Sequence, residues 1–295
     1  MRVHKRMILI FLLPAGIIYF ALFVLPTIFA IYFSLFDWSG LGENMKYIGL
    51  KNFVQLASDK VFLLSLRNTL MILFLGLLII FPVTFLLSIL INSGVKGKKF
   101  FRTMIFLPNV IATVALTTMW AFIYNPKFGL VNSFFAAIGL EELSKTLWLA
   151  SDKIFGSMLV AIIWLNVGFQ LVLFLAGMDK IPHEYYEAAR LEGANQWQIF
   201  KNITVPLLWD VISIAIVLWA ISALKMFEFP YSFSGAYPPN DIWTIGINLY
   251  VMGFGKRDPI YRLGYATAMG VVLLFIVIIT IAVLRRLMRR DVYQY

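Results

Sequence analysis

Four side chains lie inside otherwise apolar runs and could handle a polar solute: Trp164, Asn166, Gln170 and Trp219. Asn166 and Gln170 are four residues apart, so in a helix they share one face. An amide offers both donors and an acceptor, the complement of a hydroxyl-rich solute. An indole offers a flat stacking surface. A polar group buried without a partner costs about 1–3 kcal/mol, so both amides need something to bond. A neighbouring helix would serve, and so would water or a solute hydroxyl; both readings stand. Lys225 and Glu228 are three apart, so they either pair with each other, snorkel to an interface or stand at the mouth of a pathway.

Catalytic chemistry is poorly supplied. The 295 residues hold no cysteine and only two histidines, His4 and His183, which excludes thiolate chemistry and any His-rich metal site. There is no G-x-x-x-x-G-K-S/T loop for ATP phosphates, no G-x-S-x-G and no H-E-x-x-H. Acidic residues are scattered rather than paired within the apolar runs, which argues against an ion-driven proton relay. No catalytic residue and no metal ligand is assigned.

The elements that position these residues follow from composition. The chain is 61% hydrophobic and 14% charged, against about 25% charged in soluble domains. It is therefore read as an all-α integral membrane protein, one domain over 1–295. Six runs are long enough to cross a bilayer: 7–36, 68–92, 103–124, 154–178, 207–229 and 263–284. The first contains Pro14 and Pro26, which predicts a kink or tilt. It is too long for a cleaved leader and lacks a small-x-small site, so it is read as a retained span. The net charge of +10 reflects loop Lys and Arg rather than nucleic-acid binding. Fourteen basic residues fall on the side that holds both termini, the 92–102 loop and the 179–206 loop, against ten on the other; Lys225 stands apart. The first group occupies the shorter loops, which places that side in the cytoplasm.

The segment 179–206 is the longest strongly polar stretch between two apolar runs. Pro182 suits the first helical position, Glu184 and Glu187 suit the positive end of the helix dipole, and Gly193 suits a left-handed stop. Ala188 and Ala189 leave one face low, so another protein could approach the backbone. On its own this could be an ordinary amphipathic helix on a membrane surface. Elsewhere, Asn68 and Thr69 read as caps of the second span. Gly94 and Gly97 allow a tight turn between basic residues that could pair with lipid headgroups. Asn125-Pro126 ends the third span, and 133–153 has room for a short surface helix.

Glu187, Ala188, Ala189, Gly193, Ile203 and Pro206 form the pattern E-A-A-x-x-x-G followed by I-x-x-P. This resembles the cytoplasmic coupling loop of permease subunits in binding-protein-dependent ABC importers, above all the carbohydrate branch that includes the maltose and glycerol-3-phosphate permeases. Other stretches agree: Gly49, Leu50, Asn52 and Phe53; Gly97, Phe101, Arg102 and Pro108; Phe128 to Asn132; and Gly264, Tyr265, Ala266 and Ala268. The likeness runs from about residue 45 to about 285. One departure is clear: Ser234-Gly235-Ala236-Tyr237-Pro238 stands where the family has T-x-G-G-P.

The resemblance implies a type I importer permease of six helices in a bacterial or archaeal cytoplasmic membrane. It implies a second permease subunit, an ATPase dimer that binds ATP and Mg, an extracellular solute-binding protein and a carbohydrate cargo. In that case the six loop residues couple to the ATPase. A polyol or glycerophosphodiester cargo, a membrane-embedded enzyme, an assembly factor and a secondary transporter are the alternatives.

Overall fold

The computed structural model describes residues 5–42, 44–92, 96–233, 235, 238–255 and 261–289, with side chains from residue 11. His4, Gly94, several counted basic residues (Arg2, Lys256, Arg257, Arg290) and most of the 234–238 departure lie outside the described residues.

In chain order, α1 (Lys5–Tyr19) runs through a π turn, Phe20–Val24, into α2 (Leu25–Phe33). Pro26 has no N–H for the carbonyl four residues back, and the wide turn falls directly before it. β1 (Phe36–Asp37) and β2 (Lys46–Tyr47) form a short antiparallel pair with Phe36 opposite Tyr47. Then come α3 (Lys51–Ser58), α4 (Lys60–Asn92), α5 (Lys98–Phe106), α6 (Thr113–Ile123), α7 (Leu130–Ala137) and α8 (Glu141–Ser144). α9 (Ile154–Met178), α10 (His183–Leu191), α11 (Gln196–Ile199), α12 (Val205–Leu207) and α13 (Trp209–Leu224) follow. The described chain ends with α14 (Glu228–Phe233), α15 (Ile245–Phe254) and α16 (Leu263–Met288).

Four helical stretches are long and apolar enough to cross a membrane unaided: Phe11–Phe33, Lys60–Asn92, Ile154–Met178 and Leu263–Met288. Two bent helix pairs pass the same test only when each pair is taken together, which brings the count to six. The third span is not the single rod that 103–124 suggests. It folds by 104° between Lys98–Val110 and Thr113–Ile123, because a 3-10 turn containing Pro108 gives way to extended backbone at Ile111 and Ala112. The fifth bends by 71° between Gln196–Leu207 and Trp209–Leu224, just after Pro206 and a second π turn, Phe200–Thr204. That span stops at Leu224, not at residue 229. Lys225 is its C-cap and Glu228 opens a separate helix, so the expected shared face does not exist; no ion pair joins them among the described residues. Between the fifth and last apolar runs the chain forms a further apolar helix, α15.

The chain divides into two compact units, Met1–Leu63 with Gly246–Ile276, and Leu64–Ile245 with Val277–Tyr295. In the first, buried Asn52 donates to the carbonyls of Ser34 (2.8 Å) and Phe36 (3.0 Å). Asp59 caps α4 by accepting from the backbone of Val61 and Phe62. Its other oxygen accepts from the Tyr265 hydroxyl at 2.6 Å, and the Arg262 guanidinium lies 4.3 Å from the Tyr265 ring centroid. The family-like stretches around Asn52 and Tyr265 are thus structural fasteners here. α1 and α2 bury none of their crossing stretch against the rest of the chain.

In the second unit α9 is the packing centre. Phe174, Leu171 and Leu175 are fully buried on it, and Phe174 meets Phe85 of α4 at 4.5 Å between ring centroids. Lipid tails are as apolar as leucine, so close packing and hydrogen bonds, not escape from water, hold these helices together. Asn68 and Thr69 show this, and they are not caps. α4 begins two turns earlier, at Lys60. Asn68 donates to the carbonyls of Asp241 (2.8 Å) and Trp243 (3.0 Å), while the Thr69 hydroxyl accepts from the Ile245 backbone N–H. Both hold the 240–245 segment against the helix.

Candidate functional site: the 179–206 loop and the polar face of the fourth span

α10 covers nine residues of the polar loop. Pro182 is its N-cap rather than its first helical residue, with Glu184 in the first turn and Arg190 in the last. The helix ends on a Schellman motif: Gly193 N–H donates to Arg190 O (3.0 Å) and Ala194 N–H to Ala189 O (2.9 Å). Gly193 has φ +80°, the left-handed region that favours glycine. A Cβ added there would meet nothing within 4 Å. The constraint is therefore on the backbone and not on space among the described residues. α11 starts with a reciprocal capping box between Asn195 and Gln198.

The loop presents a coherent surface. Glu187, Ala188, Gly193 and Pro206 are exposed, and Ala189 and Ile203 are half-buried. Leu191 is 90% exposed and Trp197 67%. Large apolar side chains that protrude from the polar end of a membrane protein mark a contact surface. Behind α10 lies a cavity of about 400 Å³, lined among others by Asn92, Lys98, Asp179, Tyr186, Arg190 and Thr204. Asp179 was not singled out in the sequence. It accepts from Lys98 at 3.2 Å and faces Arg102 at 3.8 Å. The basic residues expected to meet lipid headgroups at 98 and 102 thus pair within the protein, tying the start of α5 to the root of the loop. These pairs are solvent-accessible and worth about 0–1 kcal/mol each.

On α9, Asn166 and Gln170 do share a helix, but neither amide bonds a neighbouring helix among the described residues. Asn166 donates to Ile162 O of its own helix at 2.8 Å. Gln170 is 2% exposed, and its Oε1 is buried without a partner. Trp164 is 40% exposed and meets Trp120 edge-on at 5.6 Å. Trp219 is different. It is 1% exposed, donates from Nε1 to Leu73 O (3.0 Å) and packs on Gly76. It offers no open face for stacking in this conformation, whereas Trp164 does. Gly168, between the two amides, lets the bent third span touch α9: a Cβ there would strike Ile105 O, and Asn109 donates to Leu165 O at 3.1 Å.

The helical chain thus carries an exposed, glycine-stopped polar loop directly before its fifth apolar stretch. Residues 85–291 match the family described as "Binding-protein-dependent transport system inner membrane component", and the chain belongs to that family. It is 37% identical to the probable ABC transporter permease protein YurN of Bacillus subtilis, with 90% of each chain covered. It is 31% identical to the diacetylchitobiose uptake system permease protein NgcF of Streptomyces coelicolor, over 86% of this chain and 74% of that one. Its fold matches a subunit of a bacterial alginate ABC transporter, solved with a periplasmic protein bound to an alginate pentasaccharide. There the TM-score is 0.79 at 23% identity, with 97% and 95% of the two chains covered. The chain is accordingly a multi-pass membrane component of a binding-protein-dependent ABC importer.

Proposed function

We propose that this permease passes a sugar or oligosaccharide inward and is driven through α10 by a separate ATPase. The observation that carries the coupling half is the loop itself: Leu191 protrudes beside Gly193, whose left-handed turn ends α10. Glu187, Ala188, Ala189, Gly193, Ile203 and Pro206 then form or support the docking surface. The diacetylchitobiose permease supports the cargo class. The chain works beside a second permease subunit, an ATPase dimer that holds ATP and Mg, and an extracellular binding protein, with its own termini and α10 in the cytoplasm. Asn166 faces the route with Trp164 beside it, and buried Gln170 supports that face one turn further along α9. It carries no ATPase site and acts by changing conformation.

The test is reconstitution of the chain together with its second permease subunit in proteoliposomes, with the cognate binding protein and ATPase added. Uptake of a labelled oligosaccharide that requires both partners and ATP is the expected result. Uptake without the ATPase would overturn the coupling assignment, and uptake restricted to a non-carbohydrate would overturn the cargo.

A further inference from the structure

A second groove, which shares no lining residue with the cavity behind α10, lies where the last turn of α16 meets α13. It encloses about 450 Å³. Its floor is one face of α13: Ile214, Val217, Leu218 and Ile221 recur at helical spacing. Ile214 is 55% and Leu218 39% exposed. Its rim is Arg285 and Arg289, one turn apart on α16 and its extension. The Trp209 indole donates to Met288 O at 2.8 Å, which holds this rim against α13.

We propose that this groove binds an anionic phospholipid from the leaflet on the α10 side, with the phosphate on Arg285 and Arg289 and one acyl chain along α13. Depth fits the idea. Ser213 to Ile221 spans about 12 Å of helix, close to half of a hydrocarbon core of about 30 Å, so the groove is one leaflet deep. Charge fits as well. Among the described residues no carboxylate pairs with either guanidinium, and paired guanidiniums beside an apolar strip recognise a phosphate better than a neutral surface does. A free phosphate would satisfy the arginines but leave the aliphatic strip bare. The proposal is independent of cargo and of ATPase coupling.

Native mass spectrometry of the assembled importer tests it, with phosphatidylglycerol and phosphatidylcholine of identical acyl chains. Wild type should retain phosphatidylglycerol at least five-fold better. Arg285→Gln with Arg289→Gln should abolish that preference. Leu218→Trp, which fills the groove but keeps both charges, should lower retention of phosphatidylglycerol several-fold. Arg286→Gln, on another face of the last turn, should change nothing, and glycerol phosphate in solution should not compete. Equal retention of both lipids, indifference to the variants, or displacement by glycerol phosphate overturns the proposal. The chain has no native cysteine, so Ile221→Cys gives a clean further arm. Efficient cross-linking to the second permease subunit would show that protein, not lipid, covers this face.

Discussion

Gln170 holds a buried amide oxygen with no partner among the described residues, and Asn166 gives its amide donor to its own helix. Neither arrangement glues two helices together. Removing a buried, unanswered polar group while keeping its volume is close to neutral or stabilising. Gln170→Leu should therefore leave the assembled importer as abundant and as heat-resistant as wild type, while oligosaccharide uptake falls several-fold or changes preference. Asn166→Leu should behave alike, with a smaller loss. Measuring assembly and uptake on the same preparations checks this. Reduced assembly with unchanged uptake per complex would make these amides packing residues. Trp219→Phe is the contrast. It removes the hydrogen bond to Leu73 O in the packed interior and should lower stability by about 1–2 kcal/mol before it touches cargo preference.

At the scale of elements, the bend in the third span is the feature that depends on a single atom's width. Gly168→Val places a side chain where Ile105 O now sits. Overpacking of this kind costs about 1–3 kcal/mol, so the variant should express poorly or melt lower in thermal scans, with Gly156→Val as a control at an open position. Normal stability of Gly168→Val would mean that the bent pair does not rest on α9. The bend also shows what the sequence could not say. Apolar run lengths gave α9 and the start of α16 to the residue, because a bilayer sets a minimum length and little else disturbs those runs. Hydropathy is blind to direction, so a run folded by 104° reads like a straight one. Asn68 and Thr69 misled for a related reason. A polar pair at the edge of an apolar run resembles a cap, yet α4 extends into the polar stretch and the pair clamps a segment more than 170 residues away. Gly193's left-handed stop was legible, because few residues other than glycine take that conformation at little cost.

For the whole molecule, orientation and coupling stand together. A labelling tag at Asn195 should be shielded in intact cells and one at Lys145 reachable; the reverse pattern would put α10 outside and remove the ATPase from reach. The most direct measurement uses Gly193, where backbone and bulk separate. A left-handed conformation costs an ordinary residue about 1–2 kcal/mol, asparagine tolerates it, and there is open space for either side chain within this chain. Binding-protein-stimulated ATPase activity and uptake should therefore be measured together on assembled complexes carrying Gly193→Asn and Gly193→Val. Coupling through α10 predicts near-normal uptake for Gly193→Asn, and for Gly193→Val an intact complex whose uptake falls at least ten-fold and whose ATPase no longer responds to the binding protein. Wild-type uptake and stimulation in an assembled Gly193→Val complex would contradict it.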